Sequence, residues 1–251
     1  MIQNAKPYLR EVSFRPEQAP RNRYPFDLPA VRRLDTLAFH PDVTFLVGEN
    51  GCGKSTLLEA IAVVWGFNPE GGTINFNFST RPSHSDLYRY LQVVRSHKRP
   101  TDGFFLRAES FFNLATNIEQ LDAEPSFTRP VIDSYGKRSL HEQSHGESFL
   151  TLLLHRFGGN GFYVLDEPEA ALSPTRQLAV LRRIHHLVLR DSQFVIATHS
   201  PILMAYPRAK ILMLEDSGFT EVRYEDTEHY AVTKTFINNP EQMIEMMLAS
   251  D

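Results

Sequence analysis

The chain has 251 residues, of which 42% are hydrophobic and 22% charged, and its mean hydropathy is −0.30. This length and apolar content suit one folded domain, or one domain with an added lobe, and no apolar stretch reaches the ~18–20 residues that span a membrane. The net charge of −4 excludes a chain that is basic throughout, as general nucleic-acid binders are, and the single cysteine excludes an internal disulfide.

The first 47 residues predict strands separated by loops. Strand-like runs occur at residues 9–14, 34–39 and 43–47, and a loop rich in proline and arginine occupies residues 16–29. No apolar signal-peptide region follows Met1. With no membrane span and one cysteine, this predicts a cytoplasmic protein.

The phosphate-binding pattern G-x-x-x-x-G-K-[ST] is matched in full by residues 48–55, which read Gly-Glu-Asn-Gly-Cys-Gly-Lys-Ser. The apolar run 43–47 before it predicts a buried strand, and residues 56–65 after it predict a helix. A glycine-rich turn in this position points backbone N–H groups and the positive end of the helix at an anion. Gly51 and Gly53 permit a positive φ there at little cost.

A nucleotide is therefore the predicted ligand of this turn. Lys54 would reach its outer phosphates as a point charge, and the Ser55 hydroxyl would ligate Mg²⁺. The residues predicted to bind the nucleotide here are Gly48, Glu49, Asn50, Gly51, Cys52, Gly53, Lys54, Ser55 and Thr56.

The stretch that follows, residues 66–145, is polar and interrupted by glycine and proline, and it predicts a small mixed or helical lobe. Within it, we expect a short helix at residues 86–95, a strand at 104–107 and a helix near 111–119.

Regular alternation returns after the lobe. The patterns predict helices at 147–157, 174–190 and 240–248, and strands at 161–165, 193–197 and 209–214. Strands that alternate with helices indicate an α/β fold with a mostly parallel central sheet, preceded here by an N-terminal antiparallel β-portion.

Two further segments carry candidate catalytic groups. The apolar run 162–165 ends in Asp166 and Glu167, the Walker B pattern, at the edge of a parallel sheet where ligands bind. Asp166 would hold Mg²⁺ and Glu167 would orient or deprotonate the attacking water. His199 directly follows the next strand on the same edge, where it can reach the γ-phosphate.

The order of these motifs resembles that of the ABC-type ATPases over roughly residues 30–215. The resemblance rests on residues 48–55, on Ser144-His145-Gly146-Glu147, on the run from Asp166 to Ser173, and on Thr198-His199-Ser200. It implies an ABC-type P-loop NTPase fold, ATP and Mg²⁺ as ligands, and ATP hydrolysis.

The resemblance also implies a homodimer, formed at least transiently with ATP. Ser144, Gly146 and Glu147 correspond to the signature motif, which opens a helix facing the γ-phosphate bound by the other subunit. Residues 170–173 resemble the D-loop, which links the two sites. A helix N-terminus with serine and glycine is itself a suitable anion site.

The chain departs from the transporter pattern in its signature segment and at the glutamine-loop position. Residues 143–147 read Gln-Ser-His-Gly-Glu, which resembles the soluble, SMC-like branch, whose small members are often called AAA family ATPases. Glu109 lies near the expected glutamine-loop position, with glutamate in place of glutamine. It is either the glutamine-loop residue or a plain surface acid. Tyr24 and Phe26 are the candidates for adenine stacking, and the alternative, that each is a packing residue, is slightly favoured.

We therefore expect one ABC-type ATPase domain over residues 1–251, with the lobe at 66–145 and a C-terminal extension at 215–251. The main hypothesis is a soluble ATPase whose ATP-sandwich dimer switches an unknown partner, either nucleic acid or an effector protein, without membrane insertion. The alternatives are the ATP-binding subunit of a membrane ABC transporter and an ATP-gated interaction module.

Overall fold

A computed structural model describes residues 6–15, 17, 19–20, 23–74, 85–108, 111–123, 130–135, 145–215 and 217–249. The strands are β1 (Leu9–Phe14), β2 (Thr36–Ala38), β3 (Val43–Val47), β4 (Leu91–Arg95), β5 (Asp102–Arg107), β6 (Gly161–Asp166), β7 (Gln193–Ala197), β8 (Lys210–Glu215) and β9 (Gly218–Val222). The α-helices are α1 (Pro29–Arg32), α2 (Lys54–Trp65), α3 (Phe111–Ala123), α4 (His145–His155), α5 (Pro174–Val188), α6 (Pro201–Met204), α7 (Glu228–Asn238) and α8 (Pro240–Leu248).

Six strands form the central sheet, in the order β5-β6-β7-β3-β8-β9. Every neighbouring pair is parallel except β8 and β9, which form an antiparallel edge. Strands β3, β6 and β7 are buried along their whole length, because helices cover both faces of a parallel sheet. The predicted α/β class with a mostly parallel sheet is confirmed.

Side chains on alternate positions of these strands enter two separate cores. Phe104, Tyr163 and Phe194 pack on the face covered by α3, α4 and α5. Their neighbours Phe105 and Phe162 pack on the opposite face, under α2 and the N-terminal strands. The period of two along each strand therefore places an apolar layer on both sides of the sheet.

A second, three-stranded antiparallel sheet has the order β2-β1-β4. Its strands β1 and β2 are the predicted N-terminal β-portion, whereas β4 comes from the predicted lobe. The helix expected at 86–95 is wrong in its second half. Residues Asp86–Tyr90 form a short 3₁₀ helix, and β4 then pairs with β1 in register Val12↔Val93. The β-branched pair at Val93 and Val94 favours a strand, and pairing with β1 decides the outcome.

The region after β8 contains more regular structure than the sequence patterns indicated. There, α7 had no predicted range of its own, β9 falls within the predicted strand/helix extension, and α8 lies where the final helix was expected. Elsewhere, the short helices α1 and α6 were not predicted. In the lobe, residues 75–84, 109–110, 124–129 and 136–144 lie outside the described residues. No helix among the described residues is both long and apolar enough to cross a membrane.

A partly buried polar cluster joins β5, β6 and the end of α4 at the amino end of the sheet. The Asp102 carboxylate accepts hydrogen bonds from the Arg156 guanidinium (2.9 Å), the Gly158 N–H (2.9 Å) and the Tyr163 hydroxyl (2.7 Å). Burial alone would raise the pKa of Asp102, but Arg156, Tyr163 and Gly158 hold that pKa below its usual value. The carboxylate thus stays charged and fully bonded.

We predict that Asp102→Ala lowers the free energy of unfolding by about 3 kcal/mol, because it leaves the partly buried Arg156 without its carboxylate partner. Urea unfolding at pH 7 measures the change. The matched control is Asp226→Ala, which removes the exposed pair with Arg223 and should change stability far less. Equal effects of the two substitutions would contradict the importance of the Asp102 cluster.

Candidate functional site

The phosphate loop joins the end of β3 to the start of α2, as the sequence predicted. Gly51 has φ 76° and Gly53 has φ 101°, conformations that favour glycine. A Cβ atom at Gly53 would also lie 3.0 Å from Cβ of Leu28, whereas nothing lies within 4 Å of one at Gly51. Gly53 is therefore required for both its backbone conformation and its close packing.

The Lys54 side chain is buried and returns across the loop that precedes it. Its ammonium donates to the carbonyl oxygens of Gly48 (2.8 Å) and Glu49 (2.7 Å), and lies 3.6 Å from Sγ of Cys52. These contacts use all three donors of the ammonium and place a fixed positive charge at the loop.

The end of β6 lies directly beside the start of α2. The Ser55 hydroxyl donates to Oδ1 of Asp166 at 2.9 Å. This hydroxyl and carboxylate are adjacent hard oxygen ligands, which fits Mg²⁺ held by one or two protein groups together with substrate phosphates. Among the described residues, no cluster of three or more His, Cys, Asp or Glu side chains provides an all-protein metal cage.

An arginine that the sequence analysis did not single out adjoins this pair. Nε of Arg107, at the end of β5, lies 3.7 Å from Oδ2 of Asp166. Nη1 of Arg107 donates to Glu59 of α2 at 2.5 Å. The parallel register Arg107↔Asp166 explains the juxtaposition, but no sequence motif marks it.

Glu167 has an unusual backbone conformation for its residue type. Its φ is 49°, and its N–H donates to the carbonyl oxygen of Ala197 at 2.9 Å. The carboxylate is 43% exposed, and its Oε1 lies 3.9 Å from Nε2 of His199. A left-handed non-glycine residue at the end of a buried strand turns the chain sharply and presents this carboxylate at the phosphate loop.

His199 is held at the same edge by two groups. Its backbone N–H donates to Oε1 of Glu169 at 2.6 Å, and its Nδ1 lies 3.1 Å from Nε2 of His229 on α7. Its buried Nε2 has no hydrogen-bond partner among the described residues. Burial first, and then the charge of Lys54 and the nearby His229, lower the pKa of His199 to about 4.

Two cavities flank the phosphate loop. One of about 240 Å³ is lined by Tyr24, Leu28, Asn50, Gly51, Gly53, Lys54, Ser55, Thr56 and Glu167. The other, of about 630 Å³, lies between the loop and the C-terminal region and is lined by Pro29, Val47, Gly48, Glu49, Asn50, Cys52, His199, Met213, Leu214, Glu215, Asp226, Thr227, Glu228, His229 and Ala231. The predicted nucleotide residues from Gly48 to Thr56 thus separate the two spaces.

The structure distinguishes the two aromatic candidates for adenine stacking. Tyr24 is 63% exposed, and its hydroxyl lies 3.4 Å from Oγ1 of Thr56 beside the smaller cavity. Phe26 is buried and packs edge-on against Tyr90 at 5.1 Å. Tyr24 therefore remains a candidate, whereas Phe26 is a core residue.

The predicted signature residues lie on another element. Ser144 and Glu109 lie outside the described residues, and Gly146 and Glu147 form the first turn of α4. A Cβ at Gly146 would clash with the carbonyl oxygen of Ala171, and Glu147 pairs with Arg176 at 3.2 Å. No described residue of α4 lines either cavity.

Three residues that the sequence analysis missed thus contribute to the site: Arg107, Glu169 and His229. Glu169 lies within the quoted run from Asp166 to Ser173, so its position was a usable signal. No sequence signal marked His229, because only the path of α7 brings it back to the phosphate loop.

Two family models match this chain. One, described as an AAA domain, matches residues 29–127, and the other, described as "AAA domain, putative AbiEii toxin, Type IV TA system", matches residues 107–205. Each covers less than half of the chain.

Curated relatives match most of the chain. An uncharacterized ABC transporter ATP-binding protein of Haemophilus influenzae is 26% identical over 190 residues, which are 70% of this chain and 71% of the relative. The hemin import ATP-binding protein HmuV of Rhodopseudomonas palustris (strain BisB5) is 28% identical over 207 residues, covering 76% and 77%.

Among solved structures, an ATP-binding cassette of an ABC transporter in its ADP conformation has the same fold. It aligns with a TM-score of 0.50 at 18% identity and covers 96% of this chain and 98% of its own. The chain thus has the fold of an ATP-binding cassette, and it is similar in sequence to ATP-binding proteins of ABC transporters.

We predict that His199 remains neutral in the folded protein until the pH approaches 4. An unfolded histidine titrates near pH 6.5, so the unfolded chain binds a proton between about pH 6.5 and 4 that the folded chain does not. This proton uptake lowers folding stability as the pH falls through that window.

An NMR titration of the assigned His199 ring measures the midpoint. The same chain unfolded in urea is the control, and its histidines should titrate near pH 6.5. A midpoint close to 6.5 for His199 in the folded protein would contradict the described burial.

Proposed function

We propose that this chain binds Mg·ATP at the phosphate loop and hydrolyses it within a head-to-tail pair of copies. One observation carries the proposal: Lys54, Ser55, Asp166, Glu167 and His199 converge at the carboxyl edge of β3, β6 and β7. Phosphoryl transfer depends mostly on positioning and on charge stabilisation, and these side chains provide both.

Each side chain has a distinct proposed role. The loop N–H groups and Lys54 would bind the phosphates, and Ser55 and Asp166 would hold Mg²⁺, which when bound neutralises phosphate charge. Glu167 would accept the proton of the attacking water. His199, with its unpaired Nε2 beside Glu167, would contact the γ-phosphate.

The second copy supplies the part that this protomer does not bring to its own loop. Helix α4 carries Gly146 and Glu147 against the segment around Ala171, away from both cavities beside the loop. We therefore assign Ser144, Gly146 and Glu147 to the phosphates bound by a partner copy, since a helix N-terminus binds anions.

Two assignments compete for what the ATP cycle drives, and both place the chain in the cytoplasm. The curated relatives are ATP-binding proteins of transporters, one of them named for hemin import, which favours the alternative hypothesis of a transporter subunit over the main one. The departure at residues 143–147 and the family model that mentions a putative toxin favour a soluble switch acting on an effector or nucleic acid.

We predict that Glu167→Gln lowers the ATP hydrolysis rate about 100-fold or more, because an amide cannot accept the proton of water. ATP affinity should change little, since Lys54 and the loop are untouched. Steady-state phosphate release and equilibrium binding of labelled ATP measure the two quantities.

The control is Glu241→Gln on the exposed helix α8, which should hydrolyse ATP like the unmodified protein. Turnover of the Glu167→Gln protein within a few-fold of the unmodified protein would refute the role of Glu167.

We predict, from the favoured transporter assignment, that the tagged chain co-purifies with a polytopic membrane protein after mild detergent extraction of its native cells. The comparison sample is the soluble fraction, analysed by the same mass spectrometry.

Recovery only from the soluble fraction, with an effector protein, would refute the transporter assignment and support the switch. ATPase stimulation by duplex DNA at low salt, lost at high salt, would identify nucleic acid as the switched partner.

A further inference from the structure

The contact between His199 and His229 joins the γ-phosphate side of the site to the C-terminal helices. Nδ1 of His199 lies 3.1 Å from Nε2 of His229, and the ring centroids are 5.3 Å apart. His229 lies in the first turn of α7. The Thr227 side chain fixes that turn because its Oγ1 donates to the carbonyl of Tyr224 (2.7 Å) and accepts from the N–H of Tyr230 (3.3 Å).

Both rings are neutral near pH 7. Burial is the main cause that lowers the pKa of each histidine, and the positive charge of Lys54 adds to it. A neutral imidazole has one donor and one acceptor nitrogen, so exactly one ring donates in this contact. The direction of that hydrogen bond decides which nitrogen of His199 carries its proton.

The surroundings of Nε2 of His199 favour one direction. If His199 donated through Nδ1, its Nε2 would present a lone pair towards the Glu167 carboxylate at 3.9 Å, a repulsive arrangement. Lys54 would not relieve it, because its three donors already face Gly48, Glu49 and Cys52. If His229 donates instead, the proton of His199 stays on Nε2 and points towards the Glu167 carboxylate, which accepts hydrogen bonds.

We propose that His229 is a positioning residue for His199: the Nε2–H of His229 donates to Nδ1 of His199 and keeps the His199 proton on Nε2, facing Glu167 and the phosphate loop. His199 is then preset as a hydrogen-bond donor to an anionic oxygen. The arrangement makes the start of α7 part of the hydrolytic site, a consequence that rests on the proposed ATPase function.

The test is the ring nitrogen spectrum of His199 in the full chain labelled with ¹⁵N-histidine, recorded at pH 8 and assigned with His199→Gln. The unmodified protein should show His199 protonated on Nε2. In His229→Glu, a carboxylate that only accepts should draw the His199 proton to Nδ1. His186→Glu, an exposed histidine of α5, is the matched control and should leave the His199 spectrum unchanged.

Kinetics supply the second readout. His229→Glu should lower kcat for ATP about 10-fold or more with KM changed less than about twofold, since the contact orients a group rather than binding substrate. His229→Gln, whose amide can still donate, should restore most of the lost kcat.

A His199 proton on Nδ1 in the unmodified protein, or Nδ1 left unprotonated in His229→Glu, would overturn the proposal. An unmodified protein that does not hydrolyse ATP would instead refute the proposed function, while the spectrum would still report the proton position.

Discussion

The parallel register of β3, β6 and β7 is the constraint on which the site depends. Because Asp166 pairs with Ala197 and Leu46 pairs with Ala197 from the other side, three strands end at one edge of the sheet. The residues that follow each strand at this edge carry the functional groups. They are the phosphate loop after β3, the Asp166-Glu167 pair at the end of β6, and His199 after β7. A shift of one residue in any of these pairings would turn those side chains to the opposite face.

Much of this arrangement was predictable from the sequence, because the phosphate loop and the apolar strand before Asp166 are local patterns. The strand at β4 was mistaken for a helix, since its pairing with β1 is a long-range contact that local periodicity does not contain. The sequence analysis missed Arg107 and His229 for the same reason. The register of β5 with β6 brings Arg107 to the site, and the return path of α7 brings His229 there. The domain division and the catalytic roles remain predictions.

Helices α7 and α8 link the site to an exposed apolar surface. Helix α7 contacts His199 at its first turn and continues into α8, and these two helices carry exposed large apolar side chains, among them Phe236, Ile237 and Met247. A change at the phosphate loop that moves His199 would therefore move or break its contact with His229 in the first turn of α7.

The central claim is that two copies complete each ATP site. The most direct test is the mass in solution of the Glu167→Gln protein with and without Mg·ATP, measured by light scattering after size-exclusion chromatography. The account predicts a monomer that becomes a dimer when Mg·ATP is added. A protein that binds ATP yet keeps the monomer mass at all concentrations would contradict it.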